Sequence, residues 1–259
     1  MRTRRLTIAV AALALGLTAC TPPPAPAPAE SSAAPGHSSP RAAMVAMVAL
    51  AKDRHYTASY LWRSGGRERT LTVLLAADGT WRVDVPGGAL GGGADVSILW
   101  TAQGFFQCVL SGGPQQCVRI AAATGTVPDG ADPRVQHLFT DWLDVLLDRN
   151  APLSIDTDDK PKDARGACFS VESNAVVLPA PISTGLYCFA EDGTLTAANV
   201  YFGTIRIVGD PLPAAPTATL PAEVSEGAPL GTKTPPKPKP SPSPSPSAKP
   251  GPSRSAAAR

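Results

Sequence analysis

The stretch YTASYLWRSGGRERTLTVLLAADGTWRVDV, residues 56–85, contains three runs in which apolar and polar side chains alternate. An alternation with a period of two places the apolar residues of a β-strand on one face. Gly65-Gly66 separates the first two runs, and Asp78-Gly79, a strong hairpin signal, separates the second run from the third. The stretch therefore predicts a three-stranded antiparallel meander from Tyr56 to Pro86.

The same signals predict further strands along the chain. They fall at Val96–Thr101, Phe105–Leu110, Gln116–Ile120, Leu153–Asp156, Ala167–Val171, Leu186–Glu191, Leu195–Ala198 and Val200–Val208. The glycine-rich segment Gly87–Gly93 between strands lacks the Gly-Lys-Ser/Thr ending of a phosphate-binding loop. We interpret this segment as a flexible connection.

Two helices are predicted beside these strands. Ser39 and Pro40 suit the N-cap and the first position of a helix that runs to about His55. Asp132 and Pro133 suit the start of a second helix, which Asn150 ends. The apolar residues at helical spacing are Met44, Met47, Val48 and Ala51 in the first helix and Val135, Leu138, Phe139, Trp142, Val145 and Leu146 in the second. The fold class is therefore α+β.

The N-terminus has the pattern of a secretory signal. A basic head with Arg2, Arg4 and Arg5 precedes the apolar run Leu6–Leu17, which is too short to span a bilayer. The following residues, Leu17-Thr18-Ala19-Cys20, resemble the lipobox of bacterial lipoproteins. That resemblance implies removal of residues 1–19 and acylation of Cys20, so that the protein is anchored to the extracytoplasmic face of the cell membrane. The alternative is an ordinary secretory cleavage site beside a chance cysteine.

Composition divides the mature chain into three parts. Residues 20–39 form a linker rich in Pro, Ala and Ser, and residues 217–259 form a tail rich in Pro, Ser and Lys; both have the composition of disordered segments. Residues 40–216 between them suffice for one domain with a core. A net charge of +2 does not suggest nucleic acid as a partner. The tail is basic and is either solvated or in contact with anionic wall polymer.

Four cysteines lie within the domain, namely Cys108, Cys117, Cys168 and Cys188. An even number in an exported protein indicates two disulfides, for which three connectivities exist. We favour Cys108–Cys117 and Cys168–Cys188, because each pair brackets one short strand-like segment. A metal site is the alternative, but the chain has no Cys-x-x-Cys, and its histidines lie far from the cysteines in sequence. We predict no metal and no cofactor.

The order of these features resembles the LolA/LppX-like superfamily of cell-envelope lipoproteins. A lipobox, a linker and a helix come first, followed by a meander that opens with Tyr-Thr-Ala-Ser-Tyr at 56–60, a central helix and closing strands. The Ala-Cys-Phe at 167–169 and Tyr-Cys-Phe at 187–189 narrow the resemblance to actinobacterial lipoproteins with paired disulfides. The resemblance covers roughly residues 40–210. It implies a strongly curved antiparallel sheet, an incomplete barrel, with two main helices against its concave face and a lipid carried between them.

A curved sheet with an apolar inner face can enclose a ligand cavity. The candidate wall residues are Tyr60, Trp62, Leu71, Val73, Trp81, Val83 and Trp100 on the strands and Trp142 on the helix. They predict a module that binds or carries a lipid or another hydrophobic ligand. The alternative is an envelope accessory protein in which the same side chains fill a solid core.

No catalytic signature is present in the sequence. The three histidines, His37, His55 and His137, lie outside any Ser-His-Asp, Gly-x-Ser-x-Gly or His-Glu-x-x-His pattern. The acidic run Asp156–Asp159 lacks the glycine and the terminal glutamate of a calcium loop. We interpret that run, and the acidic face of the second helix, as solvated surface, and we predict no enzyme activity.

Overall fold

The computed structural model describes residues 39–175 and 180–236, which form one antiparallel sheet of 11 strands with two α-helices. The predicted signal, the acylated Cys20, most of the linker with His37, and the tail from residue 237 lie outside the described residues. The helix α1 spans Pro40–Asp53. The strands are β1 Tyr56–Ser64, β2 Arg67–Leu75, β3 Trp81–Ala89, β4 Ala94–Thr101, β5 Gly104–Ser111, β6 Cys117–Ala121, β7 Leu153–Asp158, β8 Ala167–Ser173, β9 Gly185–Phe189, β10 Leu195–Val200 and β11 Gly203–Pro213.

The strand order is β6-β5-β4-β3-β2-β1-β11-β10-β9-β8-β7. The chain starts in the middle of the sheet, runs outward by hairpins to the edge strand β6, crosses to the opposite edge at β7 and returns by hairpins until β11 pairs with β1. The two edge strands do not pair with each other, so the curved sheet is an incomplete barrel. The predicted α+β fold is thus confirmed, with the helices against the concave face.

The crossing from β6 to β7 lies over the concave face and buries apolar residues there. Met44 and Val48 of α1 are fully buried beside Leu138 and Phe139 of the crossing segment, in one core cluster with the inner residues of the sheet. The ring centroids of Tyr60 and Phe139 are 4.9 Å apart. Burial on this scale, at roughly 25 cal/mol per Å² of apolar surface, supplies the main stabilisation of the fold.

The first helix starts as its sequence predicts. The Ser39 hydroxyl accepts a hydrogen bond from the Ala42 backbone N–H at 3.3 Å, and Pro40 occupies the first helical position. The helix ends at Asp53, two residues before the predicted His55, since Arg54 already has an extended backbone.

The second predicted helix is wrong as one continuous element. A 3-10 helix, Val135–Phe139, precedes a short helix α2, Asp141–Leu147, and Thr140 between them has a non-helical backbone. The Thr140 hydroxyl donates to the Gln136 carbonyl at 3.0 Å, which is the acceptor that the Thr140 N–H would use in an α-helix. Back-bonding of this kind bends helices, so the break has a local cause.

Both disulfides have the favoured connectivity. Cys108 lies directly opposite Cys117 on β5 and β6, and Cys168 lies directly opposite Cys188 on β8 and β9. Each bridge belongs to a small apolar cluster that is separate from the main core. In the chain-entropy model, closing loops of these lengths stabilises the fold by roughly 2.5–3.5 kcal/mol each.

The domain extends further than the predicted boundary at residue 216. Residues 214–236, here called the strap, are not a detached part of the tail: they run beside the hairpin turn of β2 and β3, pair with the edge strand β6 and reach the turn after β3. The Cys117 N–H donates to the Glu223 carbonyl at 2.9 Å, and the Ser225 N–H donates to the Cys117 carbonyl at 2.8 Å. The strap therefore covers an edge that would otherwise offer unpaired backbone groups.

The opposite edge is protected by charge. The acidic run Asp156–Asp159 begins on β7, which within the described sheet pairs only with β8. Asp156 and Asp158 are exposed along this edge. Charged side chains on an edge strand disfavour pairing with another chain, which gives the run a structural role.

Candidate functional site

A cleft of 460 Å³ opens between the sheet and the helices at one end of the concave face. Its floor is formed by the ends of β2 to β5, and its roof by the C-terminal end of α1, the 3-10 helix and α2. The loop residues Gly125, Thr126 and Val127 form one side. The size lies within the range of small-molecule sites in proteins.

Four large apolar side chains form the floor, in one row across four strands. Leu75 is paired with Trp81, Trp81 with Trp100, and Trp100 with Phe105. The Trp81 and Phe105 rings meet edge to face with centroids 5.9 Å apart. The Trp100 indole N–H donates to the Ala123 carbonyl at 2.9 Å, so its polar group is satisfied by protein. The row therefore offers an apolar surface whose position is fixed by strand pairing.

The predicted wall residues separate into two groups. Of these residues, Trp81 and Trp100 line the cleft. The other strand residues do not line it, because the helices fill the centre of the concave face with side chains. Tyr60, Leu71, Val73 and Val83 are fully buried there and Trp62 is 7% exposed. Trp142 on α2 is half-buried and borders a neighbouring pocket rather than the cleft.

The sequence prediction missed Leu75 and Phe105, although a signal for both was present. Leu75 and Trp81 flank the turn that contains Asp78-Gly79, and Trp100 and Phe105 flank the next hairpin turn. Residues that flank a tight hairpin turn face each other and share one side of the sheet. If the residues that flank each of the two turns are paired across the hairpin, Leu75 lies opposite Trp81 and Trp100 lies opposite Phe105. This pairing would have predicted that the four side chains form one row.

Charged groups surround the apolar floor. Lys52 of α1 forms an ion pair with Asp144 of α2, which links the two helices at the cleft. Arg54 binds Asp192 with a nitrogen–oxygen distance of 2.6 Å and contacts the Thr194 hydroxyl at 3.2 Å. Exposed pairs of this kind contribute little to stability. Their effect is to place a polar rim beside an apolar floor.

His137 is held between two carboxylates in the roof of the cleft. Its Nε2 lies 2.9 Å from Asp132 Oδ2, and its Nδ1 lies 2.6 Å from Asp141 Oδ1. The Trp142 ring stacks on the imidazole with centroids 5.3 Å apart. Both ring nitrogens therefore face acceptors, which favours the doubly protonated, charged imidazolium.

The carboxylates change the titration of this histidine. Burial of the ring lowers its pKa, but the hydrogen bonds with Asp132 and Asp141 outweigh burial and raise the pKa of His137 to about 9. Burial raises the pKa of both aspartates, but the hydrogen bonds from His137 outweigh it and leave each pKa below its ordinary value. The three groups thus form a charged cluster at neutral pH.

We expect His137→Gln to make the free energy of unfolding less dependent on alkaline pH. The folded pKa lies above the ordinary value of 6.5, so the histidine stabilises the fold fully below about pH 6.5 and loses this contribution as pH rises through about 9. The contribution is on the order of 3 kcal/mol at most. Urea unfolding of both proteins from pH 5 to pH 10 should show their difference shrinking over that window; a difference independent of pH would contradict the assignment.

Gln136 supplies an unsatisfied polar atom at the cleft. The side chain is fully buried and its amide nitrogen donates to Asp132 Oδ1 at 2.6 Å, which fixes the orientation of the amide. Its Oε1 has no hydrogen-bond partner among the described residues, and Gln136 belongs to the cleft wall. A buried acceptor without a partner costs roughly 1–3 kcal/mol. A hydrogen-bond donor on a bound molecule would remove that cost.

Neither a metal cluster nor a membrane-spanning helix is found among the described residues. In that part of the chain no group of three or more His, Cys, Asp or Glu side chains could hold a metal ion. No helix within residues 39–175 and 180–236 is long and apolar enough to cross a bilayer.

No protein-family model matches the chain, and no curated protein matches it in sequence. The LolA/LppX-like resemblance therefore stays a prediction.

Proposed function

We propose that this protein is a lipid-anchored extracytoplasmic binding module that holds a hydrophobic or amphipathic ligand and performs no chemistry on it. The observation that carries the proposal is the cleft of 460 Å³ with its continuous floor of Leu75, Trp81, Trp100 and Phe105. The lipobox-like Leu17-Thr18-Ala19-Cys20 supports the anchor, through acylation of Cys20. A diacylglyceryl group brings two acyl chains, which suffice for stable attachment to a membrane.

The polarity of the cleft favours an amphipathic ligand over a wholly apolar one. An alkyl chain or ring system would lie on the aromatic floor, where its burial contributes about 0.8 kcal/mol per methylene. A polar head group would face the rim, where Lys52, Arg54 and Asp144 are partly exposed. A donor on that head group would satisfy Gln136 Oε1.

The roof of the cleft favours binding over catalysis. His137 is the histidine nearest to a catalytic arrangement, because two aspartates contact it. Its raised pKa keeps the imidazole protonated at neutral pH, and both of its N–H groups donate to carboxylates. A histidine in this state has no free lone pair to act as a general base.

A second candidate is an envelope accessory protein with a solid core and no small ligand. The filled centre of the concave face favours this candidate, since Tyr60, Leu71, Val73 and Val83 are fully buried against the helices. The two candidates differ in what the cleft does. The first requires saturable binding at the floor, and the second requires none.

Energy transfer to cis-parinaric acid distinguishes the two candidates. Trp81 and Trp100 lie in the cleft floor, so binding there should quench their emission and sensitise the polyene at micromolar probe. Trp81→Phe/Trp100→Phe removes the two donors in the floor while keeping an aromatic surface, and should lower the sensitised emission. Trp142→Phe removes one donor outside the floor and is the control, which should lower it less. A wild-type protein that shows no saturable transfer would overturn the proposal in favour of the solid accessory protein.

A further inference from the structure

A second pocket of 460 Å³ lies at the opposite end of the concave face. Leu75, at the end of β2, is in the floor of the cleft, whereas Arg67, the first residue of the same strand, is in this pocket. Trp62 lines this pocket, does not line the cleft, and is packed in the core. The apolar cleft and this pocket are therefore separate sites, and the pocket is here called the arginine pocket.

Three arginines converge on the arginine pocket from two elements. Arg67 and Arg69 alternate on β2 and so share its inner face, and Arg134 precedes the 3-10 helix. An Arg67 Nη1 and an Arg69 Nη2 lie 3.2 Å and 3.1 Å from the position that a Cβ on Gly92 would occupy. The two guanidinium groups are thus close neighbours over the glycine turn.

Glycine at position 87, near the end of β3, leaves room for that approach. A Cβ on Gly87 would lie 2.7 Å from the Arg69 guanidinium carbon, so a larger residue would displace the guanidinium from this position. The N–H groups of Gly87, Gly91 and Gly92 are not available to a ligand, because they donate to the Asp95 carboxylate, the Thr232 carbonyl and the Ala89 carbonyl. The arginine side chains are therefore the main groups for recognition in this pocket.

The positive charge of the arginine pocket is uncompensated within the described part of the chain. None of the three arginines forms an ion pair with a described acidic residue. Asp132, the one acidic side chain among the described residues of this wall, accepts hydrogen bonds from His137, Gln136 and the Arg134 backbone N–H. Arg134 is held over the Tyr201 ring at 5.4 Å. Like charges that are held together without a counter-charge favour binding of an anion.

The wall of the arginine pocket also contains a buried hydrogen-bond donor that has no partner among the described residues. Trp62 is 7% exposed, and its indole N–H makes no hydrogen bond within the described residues. An indole nitrogen can only donate, so its natural partner is an oxygen acceptor. Guanidinium groups bind phosphate oxygens in bidentate geometry, which matches a site made of arginines.

We infer that the arginine pocket binds a phosphate group, either free or as the phosphodiester of a lipid head group, with Arg67 and Arg69 as its main ligands. The site is separate from the apolar cleft and does not depend on ligand binding there. Its function would be to hold an anionic head group or phosphorylated metabolite at the end of the sheet away from the cleft.

Calorimetric titration of the full chain tests the inference with two probes, inorganic phosphate and monomeric dihexanoyl phosphatidylglycerol. Arg67→Gln/Arg69→Gln should weaken binding of at least one probe by at least about tenfold, because two charge-assisted contacts are lost. Arg119→Gln/Arg149→Gln removes the same charge from exposed positions outside the pocket and is the matched control. The basic tail is present in all three proteins and so does not affect the comparison.

Each possible outcome of the titration either supports or overturns the phosphate site. Binding of inorganic phosphate that is lost only in the pocket variant supports a free phosphate ligand, and selective loss of the lipid probe supports a head group. Absence of binding to wild type, or equal weakening in both variants, overturns the site. Circular dichroism of the variants checks that they are folded, and both arginines are partly or fully exposed, so substitution should not unfold the sheet.

Discussion

Ending the chain after Ala214 is expected to lower the free energy of unfolding by about 3 kcal/mol or more. This change removes all of the strap except Ala214, and the strap covers the apolar cluster around Cys108–Cys117 with Ala218, Leu220 and Ala222. Leu99 and Phe106 of that cluster, now buried, would face water. The edge strand β6 would lose its partner, and an uncovered edge is a site for aggregation.

Gln107 explains why the strap acts as part of the fold. Its side-chain amide donates to the Leu230 carbonyl at 2.9 Å and accepts from the Leu230 N–H at 2.6 Å. Gln107 is 2% exposed, so its side-chain oxygen depends on the strap for a partner, and its nitrogen would keep only a longer bond of 3.4 Å to the Ala131 carbonyl. Leu90 and Gly91 of the turn after β3 also donate backbone N–H groups to the strap at 2.8 Å and 2.9 Å.

The matched control ends the chain after Pro236, which removes only residues outside the described part and keeps the whole strap. Chemical denaturation of the two truncated proteins and the full chain gives the comparison. The longer truncated form should match the full chain, and hydrogen exchange of the Cys117 amide should accelerate only in the shorter form. Equal stability of all three proteins would show that the strap contributes nothing to the fold.

The second large effect concerns ligand binding. We expect Thr126→Trp to weaken binding of cis-parinaric acid at least about tenfold, since the indole would occupy part of a cleft whose apolar contacts supply the affinity. Thr126 is an exposed loop residue at the side of the cleft. The substitution therefore fills the site without disturbing the core.

Thr124→Trp is the control for this variant. Thr124 lies two residues away on the same loop, is also exposed and does not line the cleft. The polyene is excited directly, so that its emission reports binding without energy transfer from the added indole. Binding that is unchanged by Thr126→Trp, or that falls equally in both variants, would place the hydrophobic ligand elsewhere.

Local signals predicted the strands well. The alternation from Tyr56 to Val85 and the turn at Asp78-Gly79 act over a few residues, so the meander follows from the sequence alone. The disulfide pairing was predicted because each pair brackets one short segment, and Cys108 and Cys117 do face each other across the hairpin of β5 and β6. The pairing of β11 with β1 could not be read in this way, because it joins strands that are distant in sequence.

The features that the sequence did not predict correctly have physical causes of their own. The break at Thr140, where the hydroxyl bonds the Gln136 carbonyl, changes the buried face: α2 buries Leu143 and Leu146 and leaves Trp142 and Val145 half-buried. The strap has no periodicity, because irregularly spaced backbone bonds and small apolar residues hold it. The filled core around Tyr60 depends on how closely the helices approach the sheet, which side-chain volumes decide and residue patterns do not.

The arginine pocket was also beyond sequence reasoning. The segment Gly87–Gly93 indicated a flexible connection, whereas the structure has strand up to Ala89 and a turn fixed by bonds to the strap. The signal for the pocket was the alternation of Arg67 and Arg69 at the end of a core strand. This alternation could be interpreted as part of a binding pocket only after the structure placed the glycine turn and Arg134 beside the two arginines.

Native mass spectrometry of the protein extracted from its own membranes tests the central claim most directly. The account predicts a chain that begins at a diacylglyceryl-modified Cys20 and carries a non-covalent amphipathic molecule, which dissociates on collisional activation. The Thr126→Trp protein purified in the same way should carry the lipid on Cys20 but not the bound molecule. An unprocessed N-terminus, or a wild-type protein that never releases a ligand, would contradict the account.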